Sequence, residues 1–133
     1  LTRRQGVVRG MHFQYPPHCE WKIITCLKGV VYDVIVDIRS GSSTFLQKFS
    51  IELTENSNIS LLVPPGCAHG FQTLVENCEM LYFHSHPFLA DAEGGLRADD
   101  PILRISWPQS ITERSLRDTN HPLLLENYVG VQL

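Results

Sequence analysis

The stretch Gly6-Val7-Val8-Arg9-Gly10-Met11-His12-Phe13-Gln14 decides how the rest of the chain reads. From Val7 to Phe13 apolar and polar residues alternate, which is the period of a strand with one buried face. On that period Val7, Arg9, Met11 and Phe13 share one face, and Val8, Gly10, His12 and Gln14 share the other. A regular strand therefore sends Arg9 and His12 to opposite sides. Only a bulge or bend turns both into one cleft, and the glycine between them is where the backbone can make it. Without such a bulge the same residues describe an edge strand with a solvated Arg and a half-buried His.

Outward from this stretch the chain keeps the same character. Short apolar segments alternate with turn residues, and none holds a helical period for three turns. Tyr15-Pro16-Pro17-His18 reads as a loop, since two prolines remove two donors and fix φ. Residues 21–27 read as a strand turned by Lys28-Gly29 into a second strand over 30–39, a hairpin by turn chemistry and β-branched content. Ser40 to Ser43 make a turn, residues 45–53 alternate as a strand, and 59–63 form a buried strand ending at Pro64-Pro65-Gly66. Residues 70–74 and 79–84 read as another pair around Val75-Glu76-Asn77. The segment 87–101 is mostly irregular, 102–107 reads as a last short strand, and 112–118 has room for one helical turn. Many short strands at near-regular spacing predict an all-β sandwich or barrel. With no internal repeat and no linker, residues 1–133 read as one domain.

Composition bounds the function. With 43% hydrophobic and 19% charged residues, the 133-residue chain is globular and large enough for a substantial core. A net charge of -3 and Arg and Lys spaced along the chain with no basic run longer than Arg3-Arg4 argue against a polyanion groove, so no nucleic-acid partner is expected. A small phosphate-bearing ligand fits that spacing better. Cys19, Cys26, Cys67 and Cys78 form no C-x-x-C pair and read as reduced thiols of a cytoplasmic protein. No apolar run is long enough to span a membrane, and no signal peptide is visible.

Eight motifs in register carry a family resemblance. Arg9-Gly10-Met11-His12-Phe13-Gln14 resembles the R-G-[LM]-H-F-Q segment of the dTDP-4-dehydrorhamnose 3,5-epimerase family, and Lys22 sits where that family has a Lys. Asp33 to Arg39 resembles its D-V-x-V-D-[IL]-R strand, followed by Ser43-Thr44-Phe45, and Pro64-Pro65-Gly66-Cys67-Ala68-His69-Gly70-Phe71 resembles its P-x-G-x-A-H-G-F turn. Tyr82, Glu93-Gly94, Asp99-Asp100, Ile105-Ser106-Trp107-Pro108 and Ser115-Leu116-Arg117-Asp118 follow in the family's order. The resemblance implies a double-stranded β-helix, the cupin-like jelly roll. It also implies an isomerase that needs no cofactor and inverts C3 and/or C5 of a nucleotide-linked 4-keto-6-deoxy sugar. In the pathway to dTDP-L-rhamnose, dTDP-4-dehydro-6-deoxy-D-glucose would become dTDP-4-dehydro-L-rhamnose.

That reaction asks for specific groups. The C–H bonds flanking the ketone are acidic, so inversion needs a base on one face, an acid on the other and a cation for the enolate oxygen. By resemblance His12 is the base, Asp118 orients it, Tyr82 is the proton donor and Lys22 is the cation. Taken alone, Asp118 reads as a helix cap, Tyr82 as a core aromatic and Lys22 as a snorkelling surface residue. Arg9, His69, Glu93 and Arg117 match the family's substrate contacts, and Phe88 takes the place of an aromatic that stacks on the base. Arg suits a diphosphate through its bidentate geometry. Arg117 stands where the family often has Lys, Ala98 where it often has Trp, and Phe83 and Pro87 replace more polar residues near the pocket mouth.

Metal is not expected. Pro64-x-Gly66-x-x-His69 fits the second cupin metal motif, but the first motif's ligands are missing at His12-Phe13-Gln14. His84-Ser85-His86 is an i, i+2 pair without a visible third ligand. The resemblance further implies a homodimer. The chain begins Leu1-Thr2, so about a quarter of a typical member, with contacts often made to the partner's site, is expected to be absent. Three alternatives share these residues: a C3-only epimerase, an epimerase of another activated keto sugar or heptose, and a non-catalytic sugar-nucleotide-binding cupin.

Overall fold

Between the turn residues the β-branched and aromatic runs become strands in the computed structural model, which describes residues 1–133. They are β1 (Val8–Gln14), β2 (Lys22–Lys28), β3 (Val30–Asp37), β4 (Lys48–Thr54), β5 (Ser60–Val63), β6 (Cys67–Thr73), β7 (Glu79–His84) and β8 (Glu93–Gly95). A single 3₁₀ turn (Ala90–Ala92) precedes β8, and a short helix, α1 (Leu116–Asn120), lies in the C-terminal segment. The strands form two antiparallel sheets, one ordered β4-β3-β6-β1-β8 and the other β5-β2-β7. This is the cupin-like jelly roll.

Alternation along β3 sets the layers. Val31 and Ile35 pack with Ile24, Val63 and Phe71 in a core between the two sheets. Val34 and Val36 face the other way, onto Met11, Phe13 and Ala68, where Leu96, Leu103 and Val131 from the C-terminal third close a second core. The middle of the large sheet is thus buried on both faces, while its edge strand β4 is largely exposed. No helix is long and apolar enough to cross a membrane.

The two expected hairpins are corrected. Strand β2 belongs to the small sheet and β3 to the large one, so Lys28-Gly29 is a corner between sheets rather than a hairpin turn. The same holds for β6 and β7. A glycine with φ +82° at Gly29 reverses the chain but does not dictate pairing. Burial decides it: Ile24 and Cys26 on β2 face Val31 and Ile35 on β3 across the core, which requires the strands to lie in opposite layers. The partners of β2 are instead β5 and β7.

Boundaries shift for local reasons. The strand expected from residue 45 starts at Lys48, because Leu46 adopts φ +61° and its N–H donates to the Asp37 carbonyl at 2.7 Å. Strand β6 starts at Cys67, before the expected Gly70, and all of its residues are buried. No strand forms over 102–107. Asp100 there accepts the N–H groups of Ile102 and Leu124, Arg104 has φ +49°, and the Trp107 indole donates to the Ala98 carbonyl. The three-residue β8 arises in the segment expected to be irregular, by pairing with His12, Phe13 and Gln14 of β1.

Candidate active site

The bulge required for one cleft is present. Along β1 the register runs Arg9 opposite Phe71 and His12 opposite His69, so three steps on β1 match two on β6. Gly10 takes up the extra residue with φ +125°. Met11 turns to the outer core, while Arg9 and His12 both face inward. They line a cavity of about 260 Å³ between the sheets, together with Lys22, His69, Tyr82 and His84, and with Phe88 and Glu93 at the rim.

The wall on the large sheet carries the imidazole. His12 Nε2 lies 2.6 Å from Asp118 Oδ1, and Asp118 Oδ2 accepts the Gly10 N–H at 3.2 Å. Ser115 caps α1 by accepting the Asp118 N–H, which holds the carboxylate under the strand. Burial pushes the Asp118 carboxyl up, but the bond and charge of His12, the Gly10 amide and the Ser115 hydroxyl outweigh it and hold the group below its ordinary value. A carboxylate only accepts, so His12 carries its proton on Nε2. Nδ1 keeps a lone pair, with no partner in the chain. Arg117 stands behind this pair rather than on the cavity wall: Nη1 is 2.5 Å from Glu93 Oε2 and Nη2 is 3.3 Å from His12 Nε2. Arg9 Nη2 is 3.2 Å from Glu113 Oε1.

The facing wall, on the small sheet, carries Tyr82 and Lys22. Burial and then the Asp33 charge push the Tyr82 phenol far above its ordinary value, so it stays protonated. Its hydroxyl makes no hydrogen bond within the chain. His69, from β6, meets the Tyr82 ring edge-on at 5.9 Å and is itself bonded through Nε2 to Asp33 Oδ1 at 2.7 Å. Lys22, 7% exposed, reaches the His12 carbonyl at 3.5 Å and Glu20 Oε1 at 3.3 Å. His84 Nδ1 lies 2.9 Å from Glu20 Oε2, and its ring stacks on Tyr82. No three of the His, Cys, Asp and Glu side chains gather as metal ligands. His86 lies against His18 rather than with His84.

The structure thus brings His12, Tyr82, Lys22, Arg9, His69, Glu93 and Phe88 around one cavity, with Asp118 behind the imidazole. It adds residues that sequence reading missed. Asp33 had a signal, as a charged position between the apolar Val31 and Ile35 of the inward set. Glu20 had none, because the loop after Pro17 carries no period. Gln14 was seen only as a motif residue. It accepts the Leu89 N–H at 2.9 Å and donates to the His18 carbonyl at 2.8 Å, tying the loop that carries Phe88 to the loop after β1.

The inter-sheet cleft of this jelly roll sets a carboxylate-backed imidazole against a protonated phenol and a buried lysine, groups chemically able to serve as base, acid and cation beside a ketone. The chain belongs to the dTDP-4-dehydrorhamnose 3,5-epimerase family, whose sequence model matches residues 1–126. Among its relatives is the dTDP-4-dehydrorhamnose 3,5-epimerase of Sinorhizobium fredii, 39% identical over 99% of this chain and 68% of the relative. The crystal structure of the Bacillus anthracis enzyme with TDP and PPi bound superposes with a TM-score of 0.90 at 39% identity, covering 92% of this chain and 70% of that one. The Legionella pneumophila enzyme in complex with dTDP-4-keto-L-rhamnose superposes with a TM-score of 0.88 at 30% identity, over 98% and 71% of the two chains.

Proposed function

We propose that this cleft inverts C3 and C5 of a dTDP-4-keto-6-deoxy sugar without a cofactor. One observation carries the reading: His12 and Tyr82 project from different sheets into the same cavity, with the Lys22 ammonium beside them. His12 Nδ1 takes the proton from the carbon next to the ketone, and the C–H electron pair moves onto the carbonyl oxygen. Lys22 neutralises the resulting enolate. The Tyr82 hydroxyl then protonates the carbon from the opposite face, and phenolate and imidazolium recover their protonation through solvent. Asp118 stabilises the imidazolium while it exists.

Arg9 engages the diphosphate and Phe88, 64% exposed at the mouth, stacks on the base. A relative that binds TDP and PPi supports a nucleotide ligand for this cleft. His69 and Glu93 complete the substrate contacts, and Arg117, expected to join them, instead holds the Glu93 carboxylate from behind the imidazole. The protein works as a homodimer in the cytoplasm, a setting in keeping with its four free thiols. The outer face of the small sheet supports the dimer: Ile23 pairs with both Leu62 and Phe83, and all three are exposed.

The test is solvent exchange. Incubated with dTDP-4-keto-6-deoxyglucose in heavy water, the chain is expected to place deuterium at both C3 and C5. His12→Asn is expected to abolish both signals while dTDP binding stays within a few-fold. Label at C3 alone would remove C5 from the reading, and label at neither carbon would overturn it.

A further inference from the structure

The chemistry above leaves Glu20 without a role, yet its placement is specific. Only 8% exposed, it is a carboxylate brought out of water, which is costly unless both oxygens find donors. Both do, and both donors stand on the proton-return wall. Oε1 lies 3.3 Å from Lys22 Nζ and Oε2 lies 2.9 Å from His84 Nδ1. Lys22 and His84 are direct neighbours across the β2–β7 pair, so the carboxylate spans one rung of the ladder.

Two consequences follow from donor and acceptor chemistry. An ammonium has three N–H donors; Glu20 and the His12 carbonyl engage two, and the third is left for a ligand in the cavity. A carboxylate only accepts, so His84 must carry its proton on Nδ1, with Nε2 unpartnered. The imidazole so fixed lies nearly parallel to the Tyr82 ring, at 5.9 Å and 14°.

We propose that Glu20 is a positioning residue for the wall that returns the proton. Through one oxygen it aims Lys22 at the enolate oxygen. Through the other it sets the tautomer and plane of His84, whose ring braces Tyr82. This rests on the roles given to Lys22 and Tyr82 above.

Glu20→Gln tests it at constant size. A glutamine offers one acceptor and one donor group; with its oxygen on Lys22, its NH₂ faces His84 Nδ1, which must give up its proton. The ¹⁵N shifts of the His84 ring, assigned with a His84→Asn variant, are expected to report Nδ1–H in the native chain and Nε2–H in Glu20→Gln. In kinetics, kcat for Glu20→Gln is expected to fall by roughly 10- to 100-fold, less than loss of a whole general acid, with KM within a few-fold. His84→Asn keeps an N–H for Glu20 but removes the ring from Tyr82. It is expected to lower inversion about 10-fold more than it lowers solvent exchange.

An Nε2–H tautomer in the native chain would overturn the proposal. So would a Glu20→Gln enzyme whose KM alone changes, or a His84→Asn enzyme in which exchange and inversion fall together. A native chain that shows no exchange at all would overturn the reaction instead, while the ring shifts would still decide whether Glu20 sets the state of His84.

Discussion

His12 and Asp118 stand 106 positions apart in the chain and 2.6 Å apart in the fold. The value of that contact lies in its sign: an ionised carboxylate fixes Nε2–H and leaves Nδ1 free to take a proton. Asp118→Asn can donate to Nε2 and so favours the wrong tautomer. We expect exchange at both carbons to fall by about 10²- to 10⁴-fold with little change in KM, measured in single-turnover experiments. The same residue predicts a pH dependence. Because its folded pKa is depressed, Asp118 contributes stability that is complete above the ordinary carboxylate value near 4 and is lost as pH falls through the lower folded value. Urea unfolding between pH 5 and 2 should therefore show a shallower loss of stability for Asp118→Asn than for the native chain. Tyr82 makes the complementary case. Tyr82→Phe keeps the base, the Lys22 charge and most packing, so the enolate still forms. Exchange into substrate of unchanged configuration should continue while inversion falls by ~10²-fold or more. If both stop equally, Tyr82 positions His12 rather than donating a proton.

The element that matters most is β1, and within it the bulge. A Cβ at Gly10 would lie 2.5 Å from the Gly70 Cα and 2.7 Å from the His69 carbonyl oxygen, at a φ that L-residues rarely adopt. Gly10→Ala must therefore push β1 from β6 or abandon the bulge, which separates Arg9 from His12. We expect a loss of about 2–4 kcal/mol in stability, read as a lower denaturant midpoint, and no detectable exchange even where the chain still folds. The same glycine shows how far a pattern can be read. Alternation alone placed Arg9 and His12 on opposite faces and located the residue able to reconcile them. That β6 approaches closely enough to demand the bulge is a property of the pair of strands. The corners after Lys28 and Leu74 make the same point: the turn residues were legible, but pairing within or between sheets depends on which apolar faces meet.

Across the whole molecule, the small sheet buries one face against the large sheet and leaves the other uncovered. Ile23, Leu62 and Phe83, at 43%, 54% and 60% exposure, form one row across the three strands there. A patch of this kind is covered most simply by its own copy about a two-fold axis. Phe83→Lys should weaken the dimer by about 10- to 100-fold in sedimentation equilibrium, with the fold intact by circular dichroism. A native chain that sediments as a monomer would remove the homodimer from the proposed function. The thiols take no part in such contacts through chemistry: burial and the Asp37 charge push Cys67 up to about 11, which keeps it protonated and unreactive.

The sequence by itself determined the all-β character and most strand positions, because alternation and turn residues are local properties of the chain. Through the family resemblance of its motifs it pointed to His12, Tyr82, Lys22 and Asp118 as groups able to move a proton across a sugar ring. Only the tertiary structure decided that Arg9 and His12 share a face, that His69 is held by Asp33, and that Arg117 sits on Glu93 behind the imidazole. Glu20 is the clearest case. In the sequence it is a charged residue in a proline-flanked loop, with nothing to separate it from solvent. It becomes a buried hub because β2 and β7 bring Lys22 and His84 to the same rung, and a carboxylate leaves water only where two donors already wait for it.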